Sequence, residues 1–159
     1  LLSFRNPTEK DCELVFNWIC DPLTRASSFG KGPETFQEHQ QWYLNRIKDA
    51  ESPYLIFFRA DHPDDPVGQV RLDADGNNLV VGVLTAPLHR GQGLAKTMLI
   101  DTVNMARAGK FEGKKLLAYI KKDNQASLKA FSAAGFEFEY TLEIKGVSSV
   151  LYVFNPLKK

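Results

Sequence analysis

The chain carries only two cysteines, a single unit of net charge and no long apolar run, and each shortage removes a class of protein. Cys12 and Cys20 fall in what reads as one helix, about two turns apart, too far for a disulfide. Two reduced thiols are expected, as suits a cytoplasmic protein. No metal is expected, because no histidine or further cysteine lies near enough to complete a ligand set. Lys+Arg total 20 against Asp+Glu 19, a net charge of +1, so bulk charge gives no reason to expect nucleic acid or an anionic membrane as partner. No apolar stretch approaches the ~20 residues of a membrane span, and no basic-then-apolar leader opens the chain. Leu1 stands first rather than Met, which leaves open whether residues precede it. Internal repeats, low-complexity tracts and Ser- or Gly-rich linkers are absent too. With 159 residues, 43% hydrophobic and 25% charged, the expectation is one folded domain over residues 1–159 with a core of its own.

What is present alternates between strand and helix signals. Leu1 to Arg5 reads as a short strand, and Thr8-Glu9-Lys10-Asp11 as a carboxylate form of the capping box before a helix whose Leu14, Val15, Trp18 and Ile19 share a face. Asp21-Pro22 ends it, and Asp21 to Pro33 reads as a loop. Thr35-x-x-Glu38 opens a second amphipathic helix that runs to about Lys48. Pro53 to Arg59 is an aromatic, β-branched run typical of a buried strand. His62 to Pro66 is expected to turn the chain. Val67 to Asp73 alternates apolar and polar residues, and Asp75-Gly76-Asn77-Asn78 is a tight-turn signal before Leu79 to Leu84. These three strands fit an antiparallel meander. A β–α–β crossover follows: helix from about Gly93 to Ala108, strand at Leu116 to Ile120, helix from about Asn124 to Ala134, then strands at Phe136 to Glu143 and Val150 to Phe154. The fold class is therefore α/β (α+β), a mixed, mostly antiparallel sheet of about seven strands flanked by about four helices. Gly82, inside a strand, marks either a bulge, ordinary packing or a close approach by a ligand.

The most informative stretch joins that meander to the crossover: His89-Arg90-Gly91-Gln92-Gly93-Leu94-Ala95-Lys96-Thr97. Two glycines at the entry of a helix leave backbone N–H groups and the positive end of the helix dipole free for an anion. Three phosphate motifs compete for it. A P-loop requires Gly-x4-Gly-Lys-Ser/Thr, which the spacing here does not meet. A dinucleotide turn requires a third glycine where Lys96 stands, and a βαβ unit rather than a meander before it. What fits is Arg90-x-x-Gly93-x-Ala95, which resembles the R/Q-x-x-G-x-G/A motif of the GNAT superfamily of N-acetyltransferases. Asn124-Gln125-Ala126-Ser127 through Phe131 to Gly135-Phe136 is similar to the second segment of that family, and the order of elements matches over nearly the whole chain.

The resemblance implies acetyl-CoA as cosubstrate. Backbone groups from Arg90 through Gly91, Gln92, Gly93, Leu94 and Ala95 to Lys96 would cradle its pyrophosphate. Val83, Leu84 and Thr85 would pair with the pantetheine arm like an added strand. Asn124 and Ser127 would hydrogen-bond near the arm's other side, Phe131 would pack close to the thioester, and Lys96 or Lys129 would reach the 3′-phosphate. It also implies direct attack of an amine on the thioester, with the backbone N–H near Leu84 meeting the developing oxyanion. Two departures stand out. Phe131 replaces the tyrosine that many members use to protonate the leaving thiolate, leaving Tyr119 or Tyr152 as substitutes, although a thiol with a pKa of about 8.5 also departs unaided. The strand from Leu79 to Thr85 lacks an acidic residue, so Asp73, Glu38 and His39 are the candidate bases.

Without an obvious base, the site favours an amine with a pKa of about 8 over lysine at about 10.4. Trp18-x-x-Asp21-Pro22-x-x-Arg25-x-x-Ser28-Phe29 and His39-x-x-Trp42 resemble the subgroup that acetylates nucleotide-linked 4-amino sugars. Arg25 would then hold a phosphate, and Phe29 or Trp42 would stack on a sugar or base. The expected partner is thus a small-molecule amine, with neither nucleic acid nor membrane, the protein itself being a monomer or homodimer. A peptide α-amine acetyltransferase with an open groove and a non-catalytic acyl-CoA-binding module are the alternatives.

Overall fold

The computed structural model describes residues 1–158. Strand β1 (Leu2–Arg5) leads through a 3-10 turn at Glu9–Asp11 into α1 (Cys12–Cys20). Asp11 accepts from the Thr8 N–H at 2.8 Å and from both terminal nitrogens of Arg5 at 2.7 and 2.8 Å, so the box read from Thr8 to Asp11 starts the helix. α1 ends at Asp21-Pro22, yet the stretch expected as a loop opens with a further helix, α2 (Pro22–Ser27). The dipeptide that terminates one helix also initiates the next. Asp21 Oδ2 accepts from the N–H groups of Leu23 and Thr24 at 3.1 and 3.2 Å, and Pro22 takes the first turn, where a missing donor costs nothing. α3 (Phe36–Arg46) starts at Thr35, whose hydroxyl accepts from Glu38 N–H; the Glu38 carboxylate reaches back to Glu34 N–H rather than to Thr35.

β2 (Tyr54–Arg59), β3 (His62–Asp75) and β4 (Asn78–Thr85) form the meander, with Gly76 at φ +60 in its second turn. The expected turn at His62 to Pro66 is instead an irregular start to β3: Arg59 pairs with His62 and Phe58 with Pro66, so three extra residues bulge between adjacent partners. Two prolines without donors in that segment cannot hold a regular ladder. α4 (Leu94–Ala106), β5 (Lys115–Lys121), α5 (Gln125–Ala133), β6 (Glu137–Ile144) and β7 (Val147–Phe154) complete the chain. The seven strands lie in the order β1-β2-β3-β4-β5-β7-β6, and β4–β5 is the parallel pair that the crossover requires. Among the described residues, five α-helices stand where about four were expected, α2 being the addition.

Both faces of the sheet are covered. Leu55 and Phe57 of β2 join the larger core with Met98, Leu99 and Val103 of α4, while Tyr54 and Ile56 point the other way to Val15, Trp18 and Tyr43 of α1 and α3. That two-sided burial is why β2 reads as an unbroken apolar run. Gly68 is the tight spot: a Cβ there would lie 2.4 Å from the Leu84 carbonyl oxygen. Gly82 is the opposite. Its ladder with Arg71 is regular, so there is no bulge, and nothing lies within 4 Å of the side chain it lacks.

Candidate functional site

β4 and β5 run together only briefly. Their pairing covers Asn78 to Val80 against Lys115 to Leu117 and then stops, although β4 remains paired with β3 as far as Thr85. From Val81 to Thr85 the β5 side of β4 is therefore without a strand partner, and Gly82, Val83, Leu84 and Thr85 border a cleft instead. Its volume of about 1240 Å³ exceeds the roughly 300–1,000 Å³ of an ordinary small-ligand pocket. An extended arm with hydrogen-bonding groups along it suits such an edge.

The glycine corner closes one end. Gly91 and Gly93 take φ +78 and +72, a region that L side chains rarely enter, and neither has a heavy atom within 4 Å of a Cβ position. No side chain caps α4, so its first-turn N–H groups stay available for an anion. Arg90, Gly91, Gly93, Leu94, Ala95 and Lys96 all line the cleft. Gln92 is not among the lining residues; its Oε1 accepts from Arg59 of β2, whose other terminal nitrogen is 3.3 Å from His89 Nδ1. The Arg90 side chain is engaged by the carboxylate of Asp21, with Thr24 Oγ1 at 3.0 Å. The guanidinium beside it holds the Asp21 carboxyl below its ordinary range. Asn124, the cap of α5, accepts from Ser127 N–H at 3.2 Å, and both residues border the cleft with Lys129. Phe131 is buried at its floor, edge-on to Phe136 at 5.0 Å. A glycine-lined anion corner joined to an unpaired strand edge fits the phosphates and arm of acetyl-CoA.

The other end is built from α2, α3 and β3. Glu38, His39, Asp73, Arg25, Phe29 and Trp42 are all brought to this wall. His39 Nε2 lies 3.0 Å from the Cys12 carbonyl, which can only accept, so Nε2 carries the proton and Nδ1 keeps a lone pair. Among the described residues, Nδ1 is the buried side-chain polar atom with no partner. Burial also pushes the His39 pKa down, which keeps the ring neutral. Asp73 is ion-paired: Arg46 Nε donates to it at 3.0 Å, while the rest of that guanidinium is taken up by the carbonyls of Ser52, Pro53 and Leu72. Arg25 donates to the Pro33 carbonyl at 2.8 Å and fills the space a side chain at Gly32 would need. The two tryptophans part company, Trp18 buried in the core and Trp42 on the cleft with Arg71 5.0 Å above its ring. Tyr119 borders the cleft, with burial raising its pKa so that it stays protonated. Tyr152 does not border it and packs edge-on to Phe138.

Two features of this wall had different visibility in the sequence. Gln69, Arg71 and Asp73 are the polar side of the β3 alternation, and all three face the cleft, so the i, i+2, i+4 spacing was a usable signal. The pairing of Arg90 with Asp21 had none, since 68 residues separate them. Among the described residues there is no cluster of three metal-ligating side chains, and no helix is long and apolar enough to cross a membrane.

Residues 2–137 match the family model described as Acetyltransferase (GNAT) domain. The Uncharacterized N-acetyltransferase YfmK of Bacillus subtilis (strain 168) is 28% identical over 138 residues, which is 87% of this chain and 86% of that protein. Among solved structures, spermidine N-acetyltransferase from Vibrio cholerae in complex with CoA and spermine matches with a TM-score of 0.84 at 18% identity, over 98% of this chain and 95% of that one. AAC(6')-Ib in complex with Parmomycin and AcetylCoA matches with a TM-score of 0.79 at 17% identity, over 97% and 93%. These structures share the fold. None of these relatives is named for an amino-sugar nucleotide, so the narrower resemblance drawn from Trp18 to Trp42 finds no support in them.

Proposed function

Because the chain belongs to the GNAT acetyltransferase family, we propose that it transfers the acetyl group of acetyl-CoA to the primary amine of a small acceptor that also carries an anionic group, a nucleotide-linked amino sugar being the specific candidate. The observation that carries the acceptor class is electrostatic. Arg25 and Arg71 both line the acceptor end, and among the described residues neither has a carboxylate partner, while Asp73 is already neutralised by Arg46. Glu38 is the one carboxylate on this wall without a cationic partner among the described residues, so two guanidinium groups outweigh it; a polycation would meet that excess, whereas a phosphate would satisfy it. Trp42 and Phe29 supply flat faces for a sugar or base.

When bound, acetyl-CoA supplies an acetyl group activated as a thioester. The chain's own part is orientation: the corner at Gly91 to Lys96 would hold the phosphates, the free edge of Val83 to Thr85 would align the arm, and a backbone N–H near Leu84 would meet the developing oxyanion. His39 is the base the chemistry favours among the three: its Nδ1 lone pair has no protein partner but is buried, so it would take the proton through a water, whereas Asp73 is ion-paired and Glu38 serves the helix cap. Tyr119, which borders the cleft, would be the phenol that gives a proton to the departing sulfur. A peptide acceptor is disfavoured: Lys121 of β5 donates to the Ala26 carbonyl and Lys145 Nζ comes within 3.9 Å of the Gly30 Cβ position, which narrows the groove such a chain would need.

Thiol release from acetyl-CoA against a nucleotide-linked 4-amino sugar, spermidine and a short peptide tests the reading. Faster release with the amino sugar, and its loss in His39→Gln, is expected. Preference for spermidine would refute the anionic acceptor, and no release with any amine would refute the transferase assignment.

A further inference from the structure

α2 is the helix of this fold with the least reason to stay where it is. It buries none of its six residues, so apolar packing does not fix its position, yet Leu23, Thr24, Arg25 and Ser27 form part of the cleft wall. Polar clamps hold it at both ends instead. At its start, Arg90 Nη2 donates to the Asp21 carboxylate and to Thr24 Oγ1 at 3.0 Å. At its end, Lys121 Nζ donates to the Ala26 carbonyl at 2.8 Å and sits 5.6 Å from the centre of the Phe29 ring. The Asp21 oxygen that receives Arg90 is the same one that caps α2 through Leu23 and Thr24, so clamp and cap share one atom.

Arg90 lies one residue before Gly91, and on charge alone a guanidinium in an anion corner would be assigned to phosphate. Its side chain is committed to α2. We propose that Arg90 is a positioning residue: acting through Asp21, it holds α2 as the acceptor-side wall, so that the corner receiving acetyl-CoA and the wall receiving the amine move as one unit. The meaning of the two sides rests on the acetyl-transfer reading; the clamp is a property of the free protein. Phosphate binding is then left to the backbone N–H groups and the start of α4. Loss of the Arg90 side chain loosens α2 and leaves acetyl-CoA affinity nearly intact.

Arg90→Ala and Asp21→Ser, singly and together, separate the two roles. Serine keeps a capping oxygen on α2 but is too short to receive Arg90. Hydrogen exchange on the free protein follows residues 22–29, and titration calorimetry follows acetyl-CoA. Each single variant is expected to accelerate exchange in that segment by about five- to tenfold, with the double variant no faster than either. Acetyl-CoA affinity is expected to stay within about threefold of the parent. Unchanged exchange in Arg90→Ala, additive effects in the double variant, or a drop of about tenfold in acetyl-CoA affinity confined to Arg90→Ala would each overturn the proposal. Failure of the parent protein to bind acetyl-CoA would count against the transferase reading, while the exchange comparison would still decide the clamp.

Discussion

Gly68→Ala measures how tightly the position of β4 is set. A methyl group there would meet the Leu84 carbonyl oxygen at 2.4 Å and the Cε and Sδ atoms of Met98 at 2.8 and 2.9 Å. The end of a methionine can rotate aside; a strand carbonyl moves only with its strand. Ordinary contact begins near 3.4 Å, so relief requires Leu84 to retreat by about 1 Å. Overpacking of this kind costs about 1–3 kcal/mol, which for a domain of this length lowers Tm by roughly 3–10 °C. The catalytic loss is expected to be larger. β4 has no strand beside it after Val80 on the β5 side, so the displacement is taken up toward the cleft, and a shift of about 1 Å in a group that orients a reactant costs on the order of 10² in rate. Scanning calorimetry and thiol release on the same preparation give both numbers. A Tm within about 1 °C of the parent with an unchanged rate would show that Gly68 does not set where Leu84 lies.

Gly82→Ala is the companion experiment: with nothing within 4 Å of the new methyl, Tm is expected to hold or rise slightly, while calorimetry shows weaker acetyl-CoA binding because the methyl enters the cleft beside Val83. Undiminished affinity would move the arm away from this edge. Gly93 has φ +72, which Asn and Asp tolerate better than other side chains, so Gly93→Asp against Gly93→Asn isolates charge at the phosphate corner. The aspartate variant is expected to bind acetyl-CoA about tenfold more weakly than the asparagine variant, and equal affinities would refute the corner assignment. Burial lowers the His39 pKa from its ordinary 6.5, so below about pH 6.5 the unfolded chain takes up a proton that the folded one resists. Stability is then full above that pH and declines as pH falls, by at most about 1.4 kcal/mol per unit. Urea midpoints compared at about pH 7.5 and about pH 5.5 should show this slope reduced in His39→Gln; an identical slope would mean the histidine protonates without cost.

Features whose physics is local were legible along the chain. The Gly91/Gly93 corner follows from what glycine permits at a helix entry, the hairpin at Gly76 from turn chemistry, β2 from an apolar, aromatic run too short for a helix, and the cosubstrate from the resemblance that Arg90, Gly93 and Ala95 carry to the GNAT motif. α2 was missed although its signal is local, because Asp21-Pro22 stops one helix and starts the next with the same two residues. The irregular start of β3 was misread for a related reason: two prolines mark a break in hydrogen bonding without saying whether the chain reverses or merely bulges.

Features that depend on residues far apart in the chain meeting across the sheet emerge with the packing. It separated Trp18 from Trp42, which look alike in sequence, by burying one between α1 and the sheet and leaving the other beside Arg71. It paired Asp73 with Arg46, left His39 Nδ1 without a partner, and turned Arg90 toward Asp21. Each outcome is settled by which charges and rings become neighbours once the helices pack on the sheet, a distance-dependent matter of Coulomb attraction and burial that no spacing along the chain encodes.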